Sequence, residues 1–169
     1  MNRVAFLFLA VPLVGTLYAQ NPVIAEAKQQ YTRVKDNLIA AAEKMPEQDY
    51  NFKPTDAQQT FAERMTHVAN QYRSCGAIAG QHKTIDTSKR DKASVVSALK
   101  ESFAVCDAAW DGLNAQNAHE MVQAGRGGQR SRLGILIGNT NHDSELYGYI
   151  AVYLRLKNVV PPSSERRMR

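Results

Sequence analysis

The chain has 169 residues, which is the size of one domain. Apolar content of 44% with 22% charged residues is ordinary for a globular chain and excludes the disordered and fibrous classes. A formal charge of +5 is modest and spread along the sequence. Its densest runs, at residues 126–132 and 166–169, read as a solvated loop and a basic C-terminal tail, with an anionic surface as the competing partner.

Residues 1–19 have the layout of a secretory signal peptide. Asn2 and Arg3 supply a short positive start, residues 4–17 are almost entirely apolar, and Ala19 precedes polar Gln20. The apolar run is shorter than the ~20 residues of a membrane span. An uncleaved anchor is the alternative. Cleavage after Ala19 predicts an exported protein, periplasmic or secreted, with no stable membrane span. Export weighs against DNA or RNA as a partner. The remaining chain divides into one helical domain, residues 20–165, and the tail at 166–169.

No segment carries a strand signal, while helical spacing occurs four times. Ile24, Ala27, Tyr31, Val34, Leu38, Ala41 and Met45 step by 3 and 4 until Pro46 ends the run. Phe61, Met65, Val68, Tyr72, Cys75 and Ala79 repeat the pattern up to Gly80. Val96, Leu99, Phe103, Cys106, Trp110 and Leu113 form the third stripe, in a helix expected to start near Asp91. His142, Leu146, Tyr149, Tyr153 and Leu156 form the fourth, closed by Pro161 and Pro162. Four such stripes predict an all-α four-helix bundle. Thr55 or Asp56 is placed to cap the second helix. The glycine-bearing segment 115–130 reads as the most mobile loop. Its "GRGG" follows no strand and lacks the P-loop pattern, so it is not a phosphate cradle.

Three stretches in order, "NLIAAAEKMPEQDYNFKPT" (residues 37–55), "FAERMTHVANQYRSCGAIAG" (61–80) and "HDSELYGYIAVYLRLKNVVPPSS" (142–164), resemble the DinB-like family. The resemblance implies up-down-down-up topology. It also implies a divalent metal, zinc- or nickel-like, held by one histidine of the second helix and an H-x-x-x-H pair of the last. Family members include transferases and isomerases that use low-molecular-weight thiols. By position, His67 matches the second-helix ligand and His142 the first of the pair. Leu146 stands where the third histidine belongs. A catalytic zinc normally keeps three protein ligands and one open position. Two imidazoles alone bind weakly, so the site reads as degraded. Asp143 points away from the pair on this reading, Glu145 lies to another side of the stripe, and His119 in the 115–130 loop is a candidate to complete the shell. His82 falls in a loop. The other reading makes His67 and His142 structural polar residues in a bundle cleft, with His142 bonded to Asn139, Asn141, Tyr147 or His67.

Three functions stay open. The first is a metal-dependent enzyme acting on a small molecule by thiol transfer or hydrolysis. The second is a non-catalytic exported bundle that binds a small ligand or a protein, with a homodimer admissible. The third is a structural domain whose site has decayed. No nucleophile–base set is visible in the sequence.

Cys75 and Cys106 are the only cysteines, and both lie on apolar stripes. Each falls about 22–25 Å into its helix at a rise of 1.5 Å per residue. They meet only if the second and third helices run parallel, as the family's topology implies. A disulfide suits an oxidising compartment; two free cysteines packing as small core residues are the alternative. One prediction concerns the leader alone: mass spectrometry of protein from its native envelope should find Gln20 as the first residue. Intact Met1 in a cytosolic fraction would overturn export.

Overall fold

A computed structural model describes residues 21–123 and 128–165. The leader, most of the "GRGG" motif and the basic tail lie outside the described residues. Helix α1 (Pro22–Lys44) starts with Pro22 at its first position, and the Asn21 carboxamide oxygen accepts from Val23 N at 3.0 Å. A single 3₁₀ turn, Glu47–Asp49, follows Pro46. Then come α2 (Phe61–Ala69), α3 (Tyr72–Ala79), α4 (Lys92–Asp111), a hairpin of β1 (Met121–Gln123) and β2 (Gln129–Ser131), α5 (Arg132–Leu156) and the short α6 (Pro162–Glu165).

Contacts at the two ends fix the direction of each long element. At one end Lys28 pairs with Asp111, and at the other the Lys92 ammonium donates to the Met45 carbonyl, so α1 and α4 are antiparallel. Phe61, the first residue of α2, packs on Tyr50 and Tyr153, while Arg132 donates to the Ile78 carbonyl. The α2–α3 rod therefore runs against α5 and alongside α4. This is the up-down-down-up bundle. Cys75 and Cys106 consequently reach the same height, and they form a disulfide with Cα atoms 4.8 Å apart. Trp110 and Tyr31 stack at 5.5 Å in the adjoining core, where the Tyr31 hydroxyl donates to the Asp107 carboxylate at 2.9 Å.

Several local features depart from the sequence reading. The second helix is capped by Thr60, not by Thr55 or Asp56. Thr60 accepts from Glu63 N while the Glu63 carboxylate accepts from Thr60 N, a reciprocal capping box. The same helix breaks at Asn70 and Gln71. There the Asn70 side-chain amide joins its backbone N–H on the Thr66 carbonyl, Thr87 donates to the Asn70 side chain, and the Gln71 N–H tightens onto the Val68 carbonyl three residues back. Segment 115–130 contains a two-stranded antiparallel hairpin, pairing Met121 with Ser131 and Gln123 with Gln129, where the sequence carries no strand signal. Helix α5 begins ten residues before His142, with Ser131 as its cap.

The largest departure is the phase of α5. The buried stripe is Leu136, Asn139, Thr140, Asp143, Leu146, Ile150 and Tyr153, whereas Tyr149 is 45% and Leu156 54% exposed. The expected stripe and the real one share Leu146 and Tyr153 and diverge elsewhere. Asp143 is thus a core residue at 1% exposure, and its Oδ1 has no hydrogen-bond partner among the described residues. Burial pushes its carboxyl up to about 8.

Two measurements follow. Protein unfolded without reductant should show no titratable thiol, and reduction should remove about 3–4 kcal/mol of stability for a loop of this size; two free thiols would overturn the bond. The second uses pH. The unfolded Asp143 ionises above about 3.9, while the folded one keeps its proton up to about 8, so folding takes up a proton between those values and stability falls as pH rises. Asp143→Asn should reduce the loss seen between pH 5 and pH 8 in denaturant titrations by roughly 2–4 kcal/mol. The same pH dependence in both proteins would rule out a buried acid at this position.

Candidate metal centre and adjoining cleft

His67 lies in the last turn of α2, exposed and next to buried Val68, as its position on the flank of the stripe requires. His142 lies one residue off the buried stripe of α5, with its side chain 40% exposed. The expectation that His142 faces inward is corrected by the phase of α5, which gives the inward place to Asp143. The two histidines nevertheless converge. Their Nε2 atoms are 3.1 Å apart, with ring planes inclined by 73°. In a neutral pair one Nε2–H donates to the lone pair of the other, which must carry its proton on Nδ1. His67 is held below the ordinary imidazole value, first by burial and then by His142 and Arg64. Arg64 itself lies over the Tyr149 ring at 5.0 Å. Of the four partners considered for His142, the structure selects His67.

No third ligand joins them among the described residues. Leu146 is 3% exposed within the core and has no donor atom. Glu145 Oε2 stands 3.9 Å from His142 Nδ1, on the ring nitrogen that faces away from His67. Asp143 is turned into the bundle. His119 and His82 are exposed, and among the described residues no three His, Cys, Asp or Glu side chains gather as a possible ion site. His119 therefore does not complete the shell. The donor set does not fit an ion held by three histidines; it is two imidazoles that can share a proton, or one weakly held cation.

Beside the pair opens a cleft of about 520 Å³ between α3, the hairpin and α5. His142 forms part of its wall, with Asn139 from the same helix, Gln71, Arg73 and Ser74 from the start of α3, and Arg130 from β2. The Arg130 guanidinium donates to the Gly134 carbonyl at 2.8 Å and lies over Gly138, where any Cβ would come within 3.0 Å of it. Asn139 Nδ2 reaches the Cys75 sulfur at 3.6 Å, which ties the cleft wall to the disulfide. The sequence reading missed Arg73 altogether and assigned Arg130 to a solvated charge run. The spacing of Arg130 ahead of His142 carries no signal until the hairpin is known. The three tyrosines of α5 divide: Tyr153 is buried, Tyr147 is bonded to Ser163, and Tyr149 is exposed.

The sequence model of the DinB superfamily matches residues 30–150. A DinB-like protein from Bacillus cereus ATCC 10987 has a similar structure, with TM-score 0.69 and 12% identity over 82% of this chain and 95% of that one. A DinB-like protein from Bacillus subtilis aligns with TM-score 0.58 and 14% identity, over 82% of this chain and 92% of the other. No curated protein matches the sequence. At these identities the structures speak for the fold, and the match over residues 30–150 settles the family: the chain belongs to the DinB superfamily.

Proposed function

We propose that this protein is an exported, small-molecule-binding member of the DinB superfamily whose site operates without a three-histidine ion. Leu146 carries the reading. A buried leucine occupies the position where the family pattern calls for the third ligand, and no neighbour replaces it among the described residues. What remains is a formed cleft with His142 in its wall, and His142 is itself paired with His67. Export draws support from the Cys75–Cys106 disulfide, a bond of oxidising compartments. Low-molecular-weight thiols of this family are cytoplasmic, so export also removes the usual co-substrate.

The second reading is a metal-dependent enzyme, transferring a thiol or hydrolysing a small molecule. One observation favours it: the 3.1 Å separation of the two Nε2 atoms also suits two ligands of one zinc or nickel ion. Such an ion would supply Lewis-acid activation.

Metal retention separates the two. Protein loaded with zinc or nickel and dialysed into metal-free buffer should retain well under about one equivalent, because two imidazoles leave the shell half made. Leu146→His should bring retention close to about one equivalent, since His67 and His142 already converge. Stoichiometric metal in the unaltered protein, lost in His142→Ala, would overturn the proposal in favour of the metalloenzyme. No gain in Leu146→His would mean that the leucine is not what prevents three-ligand binding, and would overturn its role in the proposal.

A further inference from the structure

The cleft beside the histidine pair has an unbalanced charge, and we infer from it the class of ligand. This inference rests on the small-molecule reading above and specifies it. Arg73 and Arg130 both line the space, one from α3 and one from β2. Gln71, Ser74, Gln123, Asn139 and His142 supply the other polar groups, and no carboxylate is among the described lining residues. Neither arginine is in an ion pair with any described Asp or Glu, although eight lysine or arginine pairs with carboxylates form elsewhere among the described residues. Arg130 spends one donor on Gly134, and Arg73 lies against the Tyr72 ring, which leaves most of both guanidinium forks for a ligand.

The other large groove makes the contrast. It measures about 670 Å³ between the start of α1 and the end of α4, and its cation, Lys28, is neutralised by Asp111 at 2.5 Å within the same wall. Carboxylates on the neighbouring segments are directed elsewhere. Glu120 pairs with Arg132, Asp143 is inside the core, and Glu145 sits beyond the far side of the His142 ring. A guanidinium matches the two oxygens of a carboxylate or phosphate with a pair of parallel hydrogen bonds. Two of them facing one cleft of this size select a small molecule bearing an oxyanion, a carboxylate or a phosphate, with hydroxyl or amide groups to meet Gln71, Ser74 and Asn139.

The test is titration calorimetry of the metal-free protein, treated with chelator, against succinate and inorganic phosphate as probes, at low ionic strength. One or both should bind. Arg73→Gln and Arg130→Gln should each weaken binding about tenfold, the usual effect of removing one charged hydrogen-bond partner. Arg33→Gln, in a groove on α1, should leave it unchanged. Far-ultraviolet dichroism and melting of each variant check the fold. Failure of both probes to bind with and without added zinc, or binding that survives the double substitution in a folded protein, would overturn the oxyanion assignment while leaving small-molecule binding to be met by uncharged probes. Binding that still requires both arginines but occurs only after zinc is restored would confirm the oxyanion and overturn the metal-free reading.

Discussion

A helix in a four-helix bundle buries one stripe, and which stripe α5 buries decides the rest of the site. With Leu136, Thr140, Asp143, Leu146 and Ile150 inside, His142 is displaced by one residue, about 100° of rotation, to the edge of the bundle. That edge is where α2 ends, so His142 meets His67 rather than the core. The same rotation buries Asp143, whose Oδ1 finds no hydrogen-bond partner among the described residues, and sends Tyr149 outward, where it lies under Arg64. A helix turned to bury His142 would have solvated Asp143 and separated the histidine pair. The observed phase retains the apolar contacts of Leu136, Ile150 and Leu154, and the uncharged form of Asp143 is the concession that makes the burial tolerable.

The phase of α5 also marks the boundary of what the sequence discloses. The bundle and three of the four stripes are legible in the spacing, because Tyr31, Leu38, Leu99, Phe103 and Trp110 recur at steps that only a helix face accommodates, while the topology is what the family resemblance implies. Asp91 caps α4, at the start that the spacing gives this helix. Thr60 is written in the sequence too, as T-x-x-E at the start of the apolar run, and that reciprocal pattern outweighs the lone side chains of Thr55 and Asp56. The α5 stripe is not decidable by spacing. Leu146 and Tyr153 belong to both candidate faces, and the true face contains an aspartate that any hydropathy rule places outside. The three-residue strands of the hairpin are too short for alternation to register, and their existence depends on the loop closing against the start of α5.

At the candidate site the residue identities are legible and their geometry is not. His67 and His142 follow from family position, and the structure brings them together. The arginines of the cleft require tertiary information, since Arg73, Arg130 and His142 sit on three separate elements. Leu146 shows why losing one ligand changes the chemistry rather than merely weakening it. Replacing an imidazole by a branched apolar chain lets that position join the core, at 3% exposure. The change therefore carries its own stabilisation, of about 1.5–3 kcal/mol for a fully buried leucine. Apolar packing and ion binding compete for that position, and burial is the term that operates in every compartment, with or without metal.

The break at Asn70 and Gln71 then acquires a role in the cleft. It uncouples α3 from the straight continuation of α2, so the position of Arg73 and Ser74 depends on what holds α3. Three contacts do so. The disulfide fastens α3 to α4, the Asn139 amide reaches the same sulfur from α5, and Arg132 donates to the Ile78 carbonyl at the far end of α3. Gly76 permits the tight close of that helix, because a Cβ there would come within 2.6 Å of the Gln81 carbonyl, and Gly80 ends it in the left-handed conformation at φ +66°. Arg132 stands at the first position of α5, directly after β2, so the contact that pins the end of α3 also seats the strand that carries Arg130. Both walls of the cleft are thus set by one cross-linked corner of the bundle. Reduction of the disulfide would loosen the Arg73 wall first, since α3 has only eight residues and little of its own to hold it once the covalent tie to α4 is gone.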